Sequence, residues 1–240
     1  MNILIAVASA AVPAILLVVY IVKKDRFPEP TGMVLKTFFL GILICNPVIL
    51  AEYFVADGFS GVSDPYIQAF IQAFLVAGLC EEAFKFLVLH RFCARKEDFD
   101  EPMDAMVYGV LASLGFATLE NVLYVLEGGL EVAMLRAVTA VPAHACFGGL
   151  MGYFYARGHF GSGGRKAYVA ALVIPILVHG LYDLPLFLIG VPDVEADGVL
   201  SFLLFAGFAV LVLTLILVVR RLLLRMRQEQ DQISQPPLDS

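Results

Sequence analysis

Long apolar runs alternate with short polar segments along the whole chain. The apolar runs cover residues 3–22, 33–55, 67–89, 104–126, 133–155, 167–189 and 199–219. A helix of about 20 predominantly apolar residues crosses the hydrocarbon core of a bilayer. The pattern therefore predicts an all-α fold, a polytopic bundle of about seven transmembrane helices.

Basic residues concentrate in alternate loops between these runs. Every second loop and the C-terminal segment together carry thirteen of the 16 lysine and arginine residues: Lys23, Lys24, Arg26, Arg91, Arg95, Lys96, Arg157, Arg165, Lys166, Arg220, Arg221, Arg225 and Arg227. The loops between them carry acidic residues instead. Because loops on the cytoplasmic side are enriched in lysine and arginine, we expect the N-terminus outside and the C-terminus in the cytoplasm.

Composition supports a membrane protein with one domain. The chain has 240 residues, of which 60% are hydrophobic and 16% charged, and its mean hydropathy is +0.85. No loop is long enough to hold a soluble domain, so residues 1–225 are predicted to form a single multi-pass domain of the cell (inner) membrane. Residues 226–240 are polar and are predicted to form a disordered cytoplasmic tail.

Three charged residues interrupt the third apolar run. Glu81, Glu82 and Lys85 can share one helical face, since they are separated by three and four positions. A charged side chain at the centre of a membrane helix costs about 2.5–3.5 kcal/mol. A triplet that only stabilises helix packing would leave one glutamate unpaired, so the sequence favours a buried reactive site.

Three later runs also contain polar residues, namely Glu120 with Asn121, then His144, then His179 with Asp183. Depths counted at about 1.5 Å per residue allow the paired glutamates and the two histidines to meet near the bilayer midplane. Glu120, Asn121 and Asp183 would then form the outer wall of one cavity. A second set lies near span ends or in loops and is interpreted as interfacial or solvated: Lys36, Glu52, His90, Arg136 and His159.

Four patterns on successive runs resemble the motifs of PrsW-type intramembrane proteases. They are Glu81-Glu82-x-x-Lys85, Phe116-x-x-x-Glu120-Asn121, His144-x-x-x-Gly148 and His179-x-x-x-Asp183. That family belongs to the superfamily of CAAX prenyl proteases and bacteriocin-processing enzymes, and the resemblance covers about residues 20–190. The CAAX branch usually has histidine at the position of Glu120, so the PrsW branch is the better match. The resemblance implies peptide hydrolysis in the membrane, with Glu81, Glu82, His144 and His179 as catalytic residues.

The residue types suit that reaction, which requires an activated water and stabilisation of the developing oxyanion. One glutamate would act as the base. Glu81, His144 and His179 together would bind a divalent metal such as zinc and leave a coordination position open for water. The alternative is catalysis without a cofactor, in which the histidines donate hydrogen bonds to the oxyanion. Supporting roles go to Lys85, which would tune the glutamates, and to Asp183, Glu120 and Asn121, which would orient the histidines.

Two other functions use the same residue types. A proton- or cation-coupled carrier also places carboxylates and histidines at the midplane. A non-catalytic membrane scaffold would use the same helices without hydrolysing a substrate. The expected partners of a protease are the lipid bilayer and a single-span membrane protein substrate, such as an anti-sigma factor in regulated intramembrane proteolysis. No nucleic-acid partner is expected.

Overall fold

The computed structural model describes residues 3–233, which form a bundle of helices joined by short turns. The α-helices are α1 (Ile3–Lys24), α2 (Thr31–Gly58), α3 (Pro65–Ile71), α4 (Cys80–Leu87), α5 (Pro102–Val138), α6 (Ala140–His159), α7 (Gly164–Ile189), α8 (Pro192–Ala196) and α9 (Gly198–Ile233). No strand occurs between residues 3 and 233, so the prediction of an all-α fold is confirmed.

The third apolar run forms one continuous helix in which α-helical and π-helical segments follow one another. Its α3 begins after Asp64, whose side chain caps the helix by accepting from the backbone N–H groups of Tyr66 and Ile67. π-helical segments then flank α4 on both sides, at Gln72–Leu79 and Val88–Phe92. Helices of this kind are wider than an α-helix and occur frequently at functional sites. They fix the rotational position of the charged residues on α4.

Helix α5 lies at the centre of the bundle. All residues from 103 to 118 are buried, because α1, α2 and α6 pack around this half of the helix. Small residues allow the close approach of α6: a methyl group at Gly152 would overlap the Ala105 carbonyl oxygen, and one at Gly148 would overlap the Gly109 carbonyl oxygen. This contact is the role expected of glycines spaced four residues apart in a membrane helix.

A break at Gly129 divides α5 into two parts. Its φ of 75° and ψ of −163° depart from helical geometry, and glycine reaches positive φ at little steric cost. Helical structure resumes after Gly129, and α5 ends at Val138, just before α6. The segment expected to be a loop near residues 127–132 is thus largely helical, and it directs Arg136 back towards Glu120.

Within the described residues, five helices are long and apolar enough to cross a membrane, namely α1, α2, α5, α7 and α9. The total of seven spans and the orientation of the termini stay predictions. Helix α9 continues past residue 226 to Ile233, so the first part of the predicted tail is helical. The rest of that tail, residues 234–240, lies outside the described residues.

Candidate active site

Helix α4 places two carboxylates around one ammonium group. The Lys85 Nζ donates to Glu81 Oε2 and to Glu82 Oε1, in each case at 2.8 Å. The Lys85 and Glu82 side chains have no exposed surface, and the Lys85 ammonium lies 4.3 Å from the centre of the Phe116 ring. Lys85 therefore contacts both glutamates, so an unpaired glutamate is no argument against a purely structural triplet.

His144 connects this triplet to α5. Its Nδ1 lies 3.1 Å from Lys85 Nζ, and its Nε2 lies 3.0 Å from Glu120 Oε2. An ammonium can only donate hydrogen bonds, so Nδ1 must accept and the ring hydrogen lies on Nε2. The imidazole then donates to the Glu120 carboxylate, an arrangement that fixes both its tautomer and its orientation.

His179 lies between carboxylates from two helices. Its Nδ1 is 3.0 Å from Glu82 Oε1, and its Nε2 is 3.2 Å from Asp183 Oδ2, one helical turn along α7. The ring also stacks on Phe147, with 4.6 Å between centroids. Because both ring nitrogens face carboxylate oxygens, each is placed to donate a hydrogen bond. The same Nε2 lies 4.0 Å from Glu81 Oε1.

A cavity of about 550 Å³ opens beside this cluster. Its polar lining includes Glu81, Glu120, His144, His179 and Asp183, but neither Glu82 nor Lys85 reaches it. The two adjacent glutamates therefore have different environments. Glu81 faces the cavity, whereas Glu82 lies behind it and holds Lys85 and His179 in place.

Two residues interpreted as interfacial or solvated also belong to this cavity. Arg136 donates from Nη2 to Glu120 Oε2 at 2.6 Å and from Nε to Asn121 Oδ1 at 2.5 Å, and it stacks on Tyr124 at 3.9 Å. Glu52 of α2 lines the same space. The interpretation is wrong for these two residues. The Gly128-Gly129 pair is a sequence signal that could have indicated the break before Arg136.

The other three residues that the sequence placed at span ends or in loops are exposed, as expected. Lys36, His90 and His159 all lie on the outside of the described bundle. His90 Nδ1 contacts the Tyr155 hydroxyl at 2.8 Å. None of the three lines the cavity beside Glu81.

The buried donors are of the types that bind a divalent metal ion. Glu81, Glu82 and His144 each offer a ligand atom within 4.8 Å of the others. Among the described residues, nothing donates a hydrogen bond to the buried Glu82 Oε2. The ligand set predicted from the sequence differs from this group in one residue, because it has His179 in place of Glu82. Imidazole and carboxylate donors suit zinc, so the residues fit such an ion. The Lys85 ammonium contacts the same three side chains, so an ion and this ammonium are alternative occupants of the space between them.

Comparison with known proteins supports the resemblance seen in the motifs. The family model described as PrsW family intramembrane metalloprotease matches residues 29–219. A protein named Protease PrsW from Geobacillus kaustophilus is 37% identical over 180 residues, which cover 74% of this chain and 77% of the relative.

Two further relatives carry the same name. Protease PrsW of Bacillus subtilis is 37% identical over 182 residues, covering 74% of this chain and 81% of the relative. The one from Clostridioides difficile is 34% identical over 182 residues, covering 72% and 76%. No solved structure matches the chain significantly. The match over most of the chain, together with several apolar helices long enough to span a bilayer, shows that this multi-pass cell-membrane protein belongs to the PrsW family of intramembrane proteases.

Proposed function

We propose that this chain is an endopeptidase that hydrolyses peptide bonds of single-span, membrane-associated protein substrates, such as an anti-sigma factor. Glu81 is the general base. The observation that carries this assignment is that Glu81, alone of the two adjacent glutamates, reaches the cavity shared with both histidines.

Glu81 has one oxygen free for catalysis and one held by Lys85. Lys85 donates to Oε2, while Oε1 lies 4.0 Å from His179 Nε2. A water molecule at about 2.8 Å from both atoms fits between them. Glu81 would take a proton from this water as it attacks the substrate carbonyl, and it would then give the proton to the leaving amine.

The two histidines stabilise the negative charge that develops on the carbonyl oxygen. The Nε2 hydrogens of His179 and His144 face Asp183 and Glu120 in the free protein. Each ring would share this hydrogen with the carbonyl oxygen as the charge develops there, since both rings line the cavity. N–H donors held in a buried, preorganised site stabilise such charge strongly. Asn121 acts through Arg136, which it holds beside Glu120.

A divalent ion would be held by Glu81 and His144 with Glu82 or His179, and when bound it would supply Lewis-acid polarisation and a more acidic water. Lys85 contacts three of these side chains, so its position decides whether they are available as ligands. Metal analysis of the purified protein and loss of cleavage on chelation, with recovery on added zinc, would distinguish the two forms of the mechanism.

The decisive experiment is a cleavage assay with purified protein in proteoliposomes and a panel of single-span substrates. We expect Glu81→Gln to reduce cleavage by at least ~100-fold, the scale of losing a general base. Asp183→Asn should cost less, since it changes a residue that orients His179. The matched control is Glu127→Gln, which changes an exposed glutamate of α5. Near-normal cleavage by Glu81→Gln would refute the assignment of the base.

A further inference from the structure

A second group of buried carboxylates lies at the other end of α5. Asp25 and Glu29 belong to the connection between α1 and α2, and Asp104 belongs to the first turn of α5. Their exposed fractions are 5%, 8% and 1%, respectively, and one oxygen from each lies within 4.8 Å of the others. Asp104 precedes Glu120 by 16 positions on α5, which is about 24 Å along a helix. This group is therefore separate from the candidate active site.

Within the described part of the chain, two oxygens of this group are buried and accept no hydrogen bond, Asp25 Oδ2 and Asp104 Oδ1. The Asp104 carboxyl also lies within hydrogen-bond reach of Glu29. The other oxygen of each side chain accepts hydrogen bonds. Asp25 Oδ1 accepts from the backbone N–H of Phe27 at 3.0 Å and from Gln230 Nε2 at 2.7 Å. Asp104 Oδ2 accepts from the backbone N–H groups of Asp100 and Glu101, both at 2.8 Å. The fold thus orients each carboxylate and leaves one oxygen of each available.

Within the described residues, no basic side chain neutralises these carboxylates. Among residues 3–233, no lysine or arginine nitrogen lies within 4.0 Å of Asp25, Glu29 or Asp104. Arg26 follows Asp25 in the chain, but its guanidinium pairs with Asp231 instead. Glu29 accepts a hydrogen bond from the Tyr108 hydroxyl. Buried carboxylates without a compensating charge are strongly unfavourable.

We propose that Asp25, Glu29 and Asp104 bind a hard divalent cation of the Mg²⁺ type. Two ligand oxygens of one ion with bond lengths of about 2.0–2.6 Å are separated by roughly 5 Å at most, and the three oxygens meet this limit. All three donors are carboxylate oxygens, the ligands that hard cations prefer over the imidazole and thiolate ligands of zinc. Mg²⁺ usually keeps several waters, so three protein oxygens are sufficient.

The ion would join two separate parts of the chain, and a hydrogen-bonded glutamine attaches a third. Asp25 and Glu29 fix the α1–α2 connection, Asp104 fixes the start of α5, and Gln230 attaches α9 by donating to Asp25 and, at 2.5 Å, to Glu101. Occupancy of the site should therefore stabilise the end of the bundle opposite the cavity. The consequence is a cation requirement for stability that is independent of the chemistry at Glu81.

The test uses Mn²⁺ as the probe, because it replaces Mg²⁺ at oxygen sites and its binding is visible by electron paramagnetic resonance. The purified full chain in detergent is titrated with Mn²⁺, and thermal unfolding is followed in parallel. Asp25→Asn and Asp104→Asn each keep one carbonyl oxygen as an acceptor and lose one carboxylate oxygen. We expect each variant to weaken Mn²⁺ binding at least ~10-fold and to lose the thermal stabilisation by the ion.

Two controls separate this site from others. Glu97→Gln changes a nearby exposed carboxylate and should leave Mn²⁺ binding unchanged. His144→Ala removes a possible metal ligand of the candidate active site. This variant should keep the Mn²⁺ binding that Asp25→Asn weakens. Binding of Mn²⁺ that is equally strong in wild type and in both aspartate variants would overturn the proposal.

Measurements on the wild type keep the test valid if an aspartate variant fails to fold. No saturable Mn²⁺ binding below about 1 mM, the weak end of protein sites for hard cations, would also overturn the proposal. It would indicate instead that Glu29 and Asp104 form a hydrogen-bonded pair without an ion. Glu29→Gln is a further variant, because its amide oxygen still accepts from Tyr108 while one ligand oxygen is lost.

Discussion

Lys85→Met tests the electrostatics of the α4 cluster most directly. The substitution keeps a long unbranched side chain in a fully buried position but removes the ammonium that contacts both Glu81 and Glu82 at 2.8 Å. Removing one partner of a buried ion pair typically costs about 3–5 kcal/mol, because the remaining charge stays buried without compensation. The lost contact with the Phe116 ring is roughly offset, since a methionine sulfur also packs well on aromatic rings.

A loss of about 3–5 kcal/mol corresponds to roughly two to three and a half orders of magnitude in the folding equilibrium. The assay is reversible unfolding in mixed detergent with the helical circular dichroism signal as the readout. Lys36→Met is the matched control, because Lys36 is exposed on α2, and it should change the unfolding free energy by less than about 0.5 kcal/mol.

A double variant makes this reasoning refutable. Adding Glu82→Gln to Lys85→Met removes one of the uncompensated charges, so the double variant should be more stable than Lys85→Met alone. If Lys85→Met unfolds at the same detergent composition as the wild type, the ammonium does not compensate the two glutamates. If Glu82→Gln makes Lys85→Met less stable still, the cost arises from lost packing and not from buried charge.

Three further outcomes are expected. Gly152→Ala should destabilise the protein by about 1–3 kcal/mol in the same unfolding assay, because its methyl group would overlap the Ala105 carbonyl oxygen; Gly207→Ala, where a methyl group meets open space, should not. Arg136→Gln should reduce substrate cleavage about tenfold or more. Arg136→Lys should not restore it, since an ammonium cannot reproduce the guanidinium geometry towards both Glu120 and Asn121. Cleavage equal to the wild type in either variant would contradict this. Burial raises the pKa of the Glu101 carboxyl from 4.5 to about 7. Between these two pH values, the folded state therefore holds a proton that the unfolded state has released. Without divalent cations, the melting temperature of the wild type should rise as pH falls from 8 to 5. If the melting temperature of Glu101→Gln rises as steeply, Glu101 is not the cause.

The sequence predicted the helical bundle and the meeting of the four motif segments correctly, because both depend on local patterns. Apolar runs define membrane helices with little ambiguity, and an ionisable group in such a run has few environments available except the interior of the bundle. The positions of Glu81, His144 and His179 around one cavity follow from that constraint. Their chemical roles stay predictions.

The features that the sequence did not predict depend on the path of the chain in three dimensions. Arg136 seemed to lie at a span end, yet the break at Gly129 returns it to Glu120. The different environments of Glu81 and Glu82 could not be read from adjacent letters, because side-chain packing decides which one faces the cavity. The acidic group of Asp25, Glu29 and Asp104 joins residues almost 80 positions apart, and no local pattern indicates such a contact.

The π-helical segment before α4 makes the length of this part of the chain as important as its composition. An α-helix turns by about 100° per residue, so deleting one residue between Gln72 and Leu79 would rotate α4 by roughly that angle relative to the Asp64 cap. Glu81 would then leave the cavity although every side chain of the proposed site was still present. Conservative substitutions within Gln72–Leu79 should therefore be far better tolerated than any insertion or deletion there.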